Sequence, residues 1–170
     1  MVYRFLIIRQ LVLHRMQTSS RTIIADTSCF IILTKIDCLD LMFQVIGSVI
    51  TTTEVAQEFG EPLPEWVEIR LLTDISKLVF LEMHLDKGES TAIALALETP
   101  NSTVVLDDYK ARRMAEILNI SYTGTIGILV QAKRMGLVSS IKPLLQKMKD
   151  TDFRISIDLE LHALRAAGES

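Results

Sequence analysis

The stretch Thr22-Ile23-Ile24-Ala25-Asp26-Thr27-Ser28 limits what this chain can fold into more than any other. Ile23, Ile24 and Ala25 form a short apolar run with β-branched residues, the pattern of a strand covered on both faces in a parallel sheet. Asp26 ends the run, and Thr27 and Ser28 are good N-cap residues for a helix expected over Cys29 to Ile36. A carboxylate is thereby set at the carboxyl end of a strand, the edge at which open α/β sheets bind ligands. Taken alone, Asp26 is better explained as a helix cap than as a catalytic group. A second edge of the same kind, Val104-Val105-Leu106-Asp107-Asp108, changes that balance.

Strand and helix patterns alternate along the rest of the chain. Leu39 to Phe43 reads as a short helix, Ser48 to Thr51 as a second strand, and Thr52 and Thr53 as the opening of the next helix. On that helix Glu54 and Glu58 are four residues apart and share a face, while Val55 and Phe59 supply the apolar stripe that buries it and leave Glu58 at the boundary of core and cleft. Pro62 and Pro64 end the helix, Trp66 to Ile69 reads as an edge segment, and no element is assigned from there to Leu85. Gly88-Glu89-Ser90 introduces an apolar helix over Thr91 to Glu98, whose Ala92, Ala94 and Ala96 permit close packing. Glu89 falls in its first turn, where the helix dipole favours an acid by about 0.3 to 1 kcal/mol without any catalytic role. Ser102 to Leu106 is the third clear strand, followed by a helix with Ala111, Met114, Ala115 and Leu118. Ile120 to Tyr122 is a fourth strand, Thr123 or Thr125 the expected cap of a helix to about Met135, and two helices follow over Ile141 to Lys149 and Ile157 to Ala167.

This alternation predicts an α/β fold, three-layer α/β/α with a central parallel sheet of four to five strands. The 170 residues suit one domain, expected over 22–168. Residues 1–21 are expected to be an extension outside it, poorly ordered or not native, with Met16 as an alternative start; the apolar run from Phe5 is too short and too charged to span a membrane. Cys29 and Cys38 lack metal-binding spacing, and His14, His84 and His162 are scattered, which argues against a zinc site or a histidine-based triad. No Gly-rich phosphate loop is present.

In such a sheet the carboxyl ends of all strands share one edge. Asp26, Asp107 and Asp108 reach it directly, and Glu58 and Glu89 approach it from neighbouring helices. Gathered carboxylates repel one another and raise one another's pKa unless divalent cations lie among them or some stay protonated. All-oxygen ligation suits Mg²⁺ or Mn²⁺, and Mg²⁺ needs few carboxylates and leaves positions for a phosphodiester oxygen and an attacking water. With a net charge of −3, the chain has no global attraction for a polyanion, so a phosphate ligand needs a bound cation or a local basic patch.

These residues resemble the PIN-domain ribonucleases, in particular the small prokaryotic proteins similar to toxin nucleases. The resemblance runs over about residues 22 to 168. It is carried by Ala25-Asp26-Thr27-Ser28, Val55 with Glu58, Gly88-Glu89-Ser90 with Ala92-Ile93-Ala94-Leu95-Ala96, Leu106-Asp107-Asp108 with Ala111-Arg112, and Thr123-Gly124-Thr125-Ile126-Gly127. It implies a PIN-like fold and a ribonuclease with Asp26, Glu58, Glu89 and Asp108 as catalytic acids and Asp26, Glu89, Asp107 and Asp108 toward Mg²⁺ or Mn²⁺, Asp107 being accessory. Thr125 would bond a ligand water or the substrate phosphate, and Lys110, Arg112 or Arg113 would grip the RNA backbone, although each is equally explained as a surface residue. Thr52 stands where the family often has a proline.

The resemblance also implies a cytoplasmic protein and, in a toxin role, a small antitoxin partner and a homodimer. Two readings compete. A catalytically inactive RNA-binding or protein-interaction module would gain nothing from negative charge gathered beside a polyanion. A haloacid-dehalogenase-like phosphatase would need a second acid in a DxD motif, and Asp26-Thr27-Ser28 lacks it.

Overall fold

A computed structural model of the chain describes residues 21–169. The expectation of an N-terminal extension over residues 1–21 therefore falls outside the described residues, apart from Arg21. Five strands form one parallel sheet: β1 (Thr22–Ala25), β2 (Val49–Thr52), β3 (Val67–Arg70), β4 (Ser102–Val105) and β5 (Ser121–Thr123). Their order in space is β3-β2-β1-β4-β5. The helices are α1 (Thr27–Lys35), α2 (Leu39–Ile46), α3 (Thr53–Phe59), α4 (Leu78–Glu82), α5 (Lys87–Glu98), α6 (Tyr109–Ile117), α7 (Thr125–Arg134), α8 (Lys142–Lys149) and α9 (Ile157–Ala166).

Successive strand residues face opposite layers, as the pleat requires. Ile24, Ile50, Val104 and Leu106 pack with Leu81 of α4, Ile93 of α5 and Met114 of α6. Ala25, Val49 and Val105 pack on the other face with Phe30 and Leu33 of α1, Met42 of α2, Leu129 of α7 and Leu145 of α8. The expected three-layer fold is thus present, with five strands. Because the central strands are apolar on both sides, they read in the sequence as continuous runs rather than alternating ones.

The chain runs outward from β1 through β2 to β3 and returns to the other side of β1 as β4. The strand order therefore switches between β1 and β4. Ala25 is paired with Val105, and the Asp26 N–H donates to the Val105 carbonyl at 3.4 Å, so Asp26 leaves the sheet beside Leu106. A crevice at the carboxyl ends of strands flanking such a switch point is where this architecture binds ligands.

Two elements differ from the sequence expectations. Helix α5 starts at Lys87, so Gly88, Glu89 and Ser90 are part of it, and α4 lies in the stretch to which no element is assigned. Its residues Leu78 to Glu82 are too few to show a period, and only Leu81 is buried. Among the described residues no helix is long and apolar enough to cross a membrane.

Candidate active site

The candidate site is built from the ends of β1 and β4 and the first turns of α1, α5 and α6. Asp26 sits at the N-cap position of α1 with extended backbone, but its side chain makes no capping bond. Instead Oδ2 accepts the Ser28 hydroxyl at 3.0 Å, while Oδ1, fully buried, has no hydrogen-bond partner among the described residues. A buried carboxylate oxygen without a partner is costly, which removes capping as a sufficient explanation of this residue. Burial pushes the Asp26 carboxyl up to about 6 against the pull of the Thr27 N–H and the Ser28 hydroxyl, and the charge of Glu58 adds to the rise.

Glu58 comes from the last turn of α3, where its Oε2 accepts the Thr27 hydroxyl at 3.0 Å. Gly88 shows how tightly α5 is set against these groups. A methyl on Gly88 would lie 2.4 Å from Glu58 Oε2, 2.7 Å from Thr27 Oγ1 and 3.2 Å from Asp26 Oδ1. Only a residue without a side chain lets the helix start there, and the Asp26 and Glu58 oxygens face one another around that missing side chain. The rest of α5 is small and buried nearly all round: from Gly88 to Ala96, Glu89 alone escapes full burial.

Glu89 follows Gly88 at the cleft, and its Oε2 accepts the Asp86 N–H at 3.3 Å. Partial burial pushes its carboxyl up to about 7, reinforced by the negative charges of Asp26 and Asp108. Glu89 is therefore electrostatically in touch with both strand ends. Asp108 caps α6: its Oδ1 accepts the N–H groups of Lys110 at 2.6 Å and Ala111 at 3.1 Å, which leaves Oδ2 outside the cap.

Asp107 is placed differently. Its Oδ1 accepts the Thr125 N–H at 2.9 Å, its Oδ2 accepts the Thr125 hydroxyl at 2.5 Å, and Arg112 approaches Oδ1 to 3.5 Å. Burial raises its pKa, opposed by the bonds from Thr125 and by Arg112. The cap of α7 thus comes from Asp107, eighteen residues away, and not from Thr123 or Thr125 as their types suggest. Arg112 also donates through Nε to the Leu106 carbonyl at 2.8 Å, and a methyl on Gly124 would lie 2.2 Å from its Nη2. Arg113 is paired with Glu116, and Lys110 is exposed.

The structure therefore brings Asp26, Glu58, Glu89 and Asp108 to one sheet edge, and turns Asp107, Thr125 and Arg112 toward one another. Among the described residues no three acids, histidines or cysteines lie close enough together to hold a metal ion. Each of the four acids accepts at least one bond from the fold, Asp26 from Ser28, Glu58 from Thr27 of α1, Glu89 from the Asp86 N–H and Asp108 from its own helix. Missing from the sequence reading are the supporting hydroxyls of Thr27, Thr51, Thr52 and Thr91. Thr51 and Thr52 stand in a run of threonines at a strand end, which reads equally as β-propensity, Thr27 reads as a helix cap, and Thr91 gives no signal of its own.

A family model described as DUF3368: PIN domain matches residues 22–169. No match to the chain was found among curated proteins or among solved structures.

Proposed function

Because the chain belongs to the PIN-domain family, whose members are generally nucleases, we propose that it is a divalent-metal-dependent endoribonuclease acting at the crevice between β1 and β4. The observation that carries this reading is Asp26 Oδ1: a buried carboxylate oxygen at the switch point, unpartnered among the described residues and beside two further acids. Such an oxygen suits a hard cation, and one or two carboxylates with water suffice for Mg²⁺. The arrangement suits Mg²⁺ or Mn²⁺ held by one or two carboxylates and water rather than by a three-acid cage, Asp26 being the group that would hold it, with Glu89 or Asp108 beside it and Asp107 outside the set. Bound there, the cation would supply an activated water and offset charge developing on the phosphate.

The chain's own residues do the rest. Ser28 and Thr27 fix the Asp26 and Glu58 carboxylates by one hydroxyl bond each. Glu89, whose carboxyl partial burial and the charges of Asp26 and Asp108 push up to about 7 in the absence of a cation, would complete the cation's shell or orient the attacking water. Asp107 and Arg112 hold α7 and the end of β4 in place, so Thr125 and Arg112 act on substrate only through that frame. Lys110, exposed two residues after Asp108, is a candidate for a phosphate contact. The reading extends to the toxin of a toxin–antitoxin pair. The exposed apolar side chains Leu71, Ile75, Val79, Phe80 and Met83 supply a surface for a protein partner, a small antitoxin or a second copy.

The test is incubation of purified protein with a mixed RNA pool, with and without Mn²⁺ or Mg²⁺, beside folded Asp26→Asn and Asp108→Asn proteins. Cleavage that needs the cation and disappears in both variants supports the reading. Equal cleavage by the variants places the activity elsewhere, and no cleavage with no cation binding favours an interaction module.

A further inference from the structure

Two threonine hydroxyls outside the acid set join the elements that carry Glu58 and Glu89. Thr52 ends β2 and caps α3, its Oγ1 accepting the Val55 N–H at 3.3 Å. The same oxygen lies 2.8 Å from Oγ1 of Thr91, one turn into α5. Thr91 donates its hydroxyl to the Gly88 carbonyl at 3.0 Å. Each hydroxyl has one proton, so Thr91 accepts from Thr52 and the chain runs Thr52 to Thr91 to Gly88. Both side chains are completely buried. Next to them, Thr51 donates to the carbonyl of Ala25 at 2.8 Å, tying the end of β2 to the residue before Asp26.

Packing alone does not call for this arrangement. Valine has the same shape as threonine, and a buried hydroxyl's hydrogen bond contributes only modestly once its desolvation is counted. What the hydroxyls add is direction. They fix the Gly88 carbonyl, and Gly88 is the residue whose missing side chain leaves room for Glu58, Thr27 and Asp26. A small rotation of α5 about this point would move Glu89 and close the space around Asp26 Oδ1.

We propose that the Thr52–Thr91 hydroxyl pair is a positioning device that sets the first turn of α5, and with it Glu89, against Glu58 and Asp26. The inference rests on the reading of this crevice as a cation-assisted nuclease centre. Neither threonine touches the reacting atoms; both act through Gly88 and Glu89.

Thr91→Val tests it most cleanly, since it keeps the side-chain volume and leaves the α3 cap intact, and Thr91→Ser should restore the bond. Thr52→Val reads the pair from the other side if Thr91→Val is poorly folded. We expect Thr91→Val to bind Mn²⁺ about fivefold more weakly by calorimetry and to lose about tenfold in kcat on RNA with KM little changed, the pattern of a misplaced rather than missing group. Thr91→Ser should recover both, and combining Thr52→Val with Thr91→Val should add little to Thr52→Val alone. Parental Mn²⁺ affinity and turnover in Thr91→Val overturn the inference, as does Thr91→Ser being impaired to the same degree. A parent protein that binds Mn²⁺ but cuts no RNA defeats the nuclease reading alone, with the clamp still decided by Mn²⁺ affinity. A parent protein that binds no Mn²⁺ overturns both.

Discussion

Replacing Gly88 with alanine tests the geometry of the site with a single methyl group. At an ordinary position in a helix this change stabilises by about 0.5 to 1 kcal/mol. Here the methyl would stand 2.4 Å from Glu58 Oε2, 2.7 Å from Thr27 Oγ1 and 3.2 Å from Asp26 Oδ1. Glu58 can swing away at the end of a flexible side chain, at the loss of its bond from Thr27. Thr27 cannot, being short and buried in the first turn of α1, so the helices must part. Overpacking of this kind costs about 1 to 3 kcal/mol, which with about 1 kcal/mol for the lost hydrogen bond outweighs the helix gain and leaves a net destabilisation of about 1 to 3 kcal/mol. In a domain of this size that lowers Tm by roughly 2 to 12 °C. Scanning calorimetry reads the stability, and Mn²⁺ titration of the same sample reads the displaced acids. A Gly88→Ala protein at least as stable as its parent, with unchanged Mn²⁺ affinity, would refute the reasoning.

Other outcomes follow from the same geometry. Burial raises the Asp26 carboxyl to about 6, so the folded state holds its proton more tightly than the unfolded chain does. Stability is then lost as pH rises from about 4 through about 6, a loss of about 3 kcal/mol that Asp26→Asn should abolish in pH-dependent urea unfolding. The raised Glu89 carboxyl has the same sign and extends the fall toward about pH 7, which Glu89→Gln should remove. Saturating Mn²⁺ at about 100 times its Kd should stabilise the parent protein by about 2.7 kcal/mol in thermal unfolding, with no such gain in Asp26→Asn. Asp107→Ala should destabilise by about 2 to 4 kcal/mol, because it strands the Thr125 N–H and Arg112, yet leave the Mn²⁺ affinity of the folded protein unchanged; a weakened affinity would make Asp107 a ligand.

Much of the fold was legible because its strands announce themselves. Ile24 and Ala25, and Val104 to Leu106, are fully buried and lead into acids, so apolar run and functional edge appear together. Helix α4 was not legible, since one buried leucine in five residues sets no pattern. The acids were legible as types at strand and helix ends, but their orientation was not. Asp107 and Asp108 are neighbours in sequence, yet one carboxylate turns to Thr125 and the other caps its own helix. That division depends on where β5 and α7 arrive, which is a property of the sheet and not of the pair. The Thr52–Thr91 contact likewise spans 39 residues, beyond any local signal.

The pairing of β1 with β4 also bears on when this protein can acquire activity. Thr22 lies beside Ser102, so about 80 residues must be made and looped back before the central pair of strands can close, the kind of non-local contact that slows folding. Asp26 and Asp108 come from opposite sides of that closure, and no shorter fragment contains both edges of the crevice. Refolding followed by return of RNA cleavage should therefore show a single phase coincident with sheet formation. A chain still being synthesised has the acids of its first half in hand long before it has a cleft in which to use them.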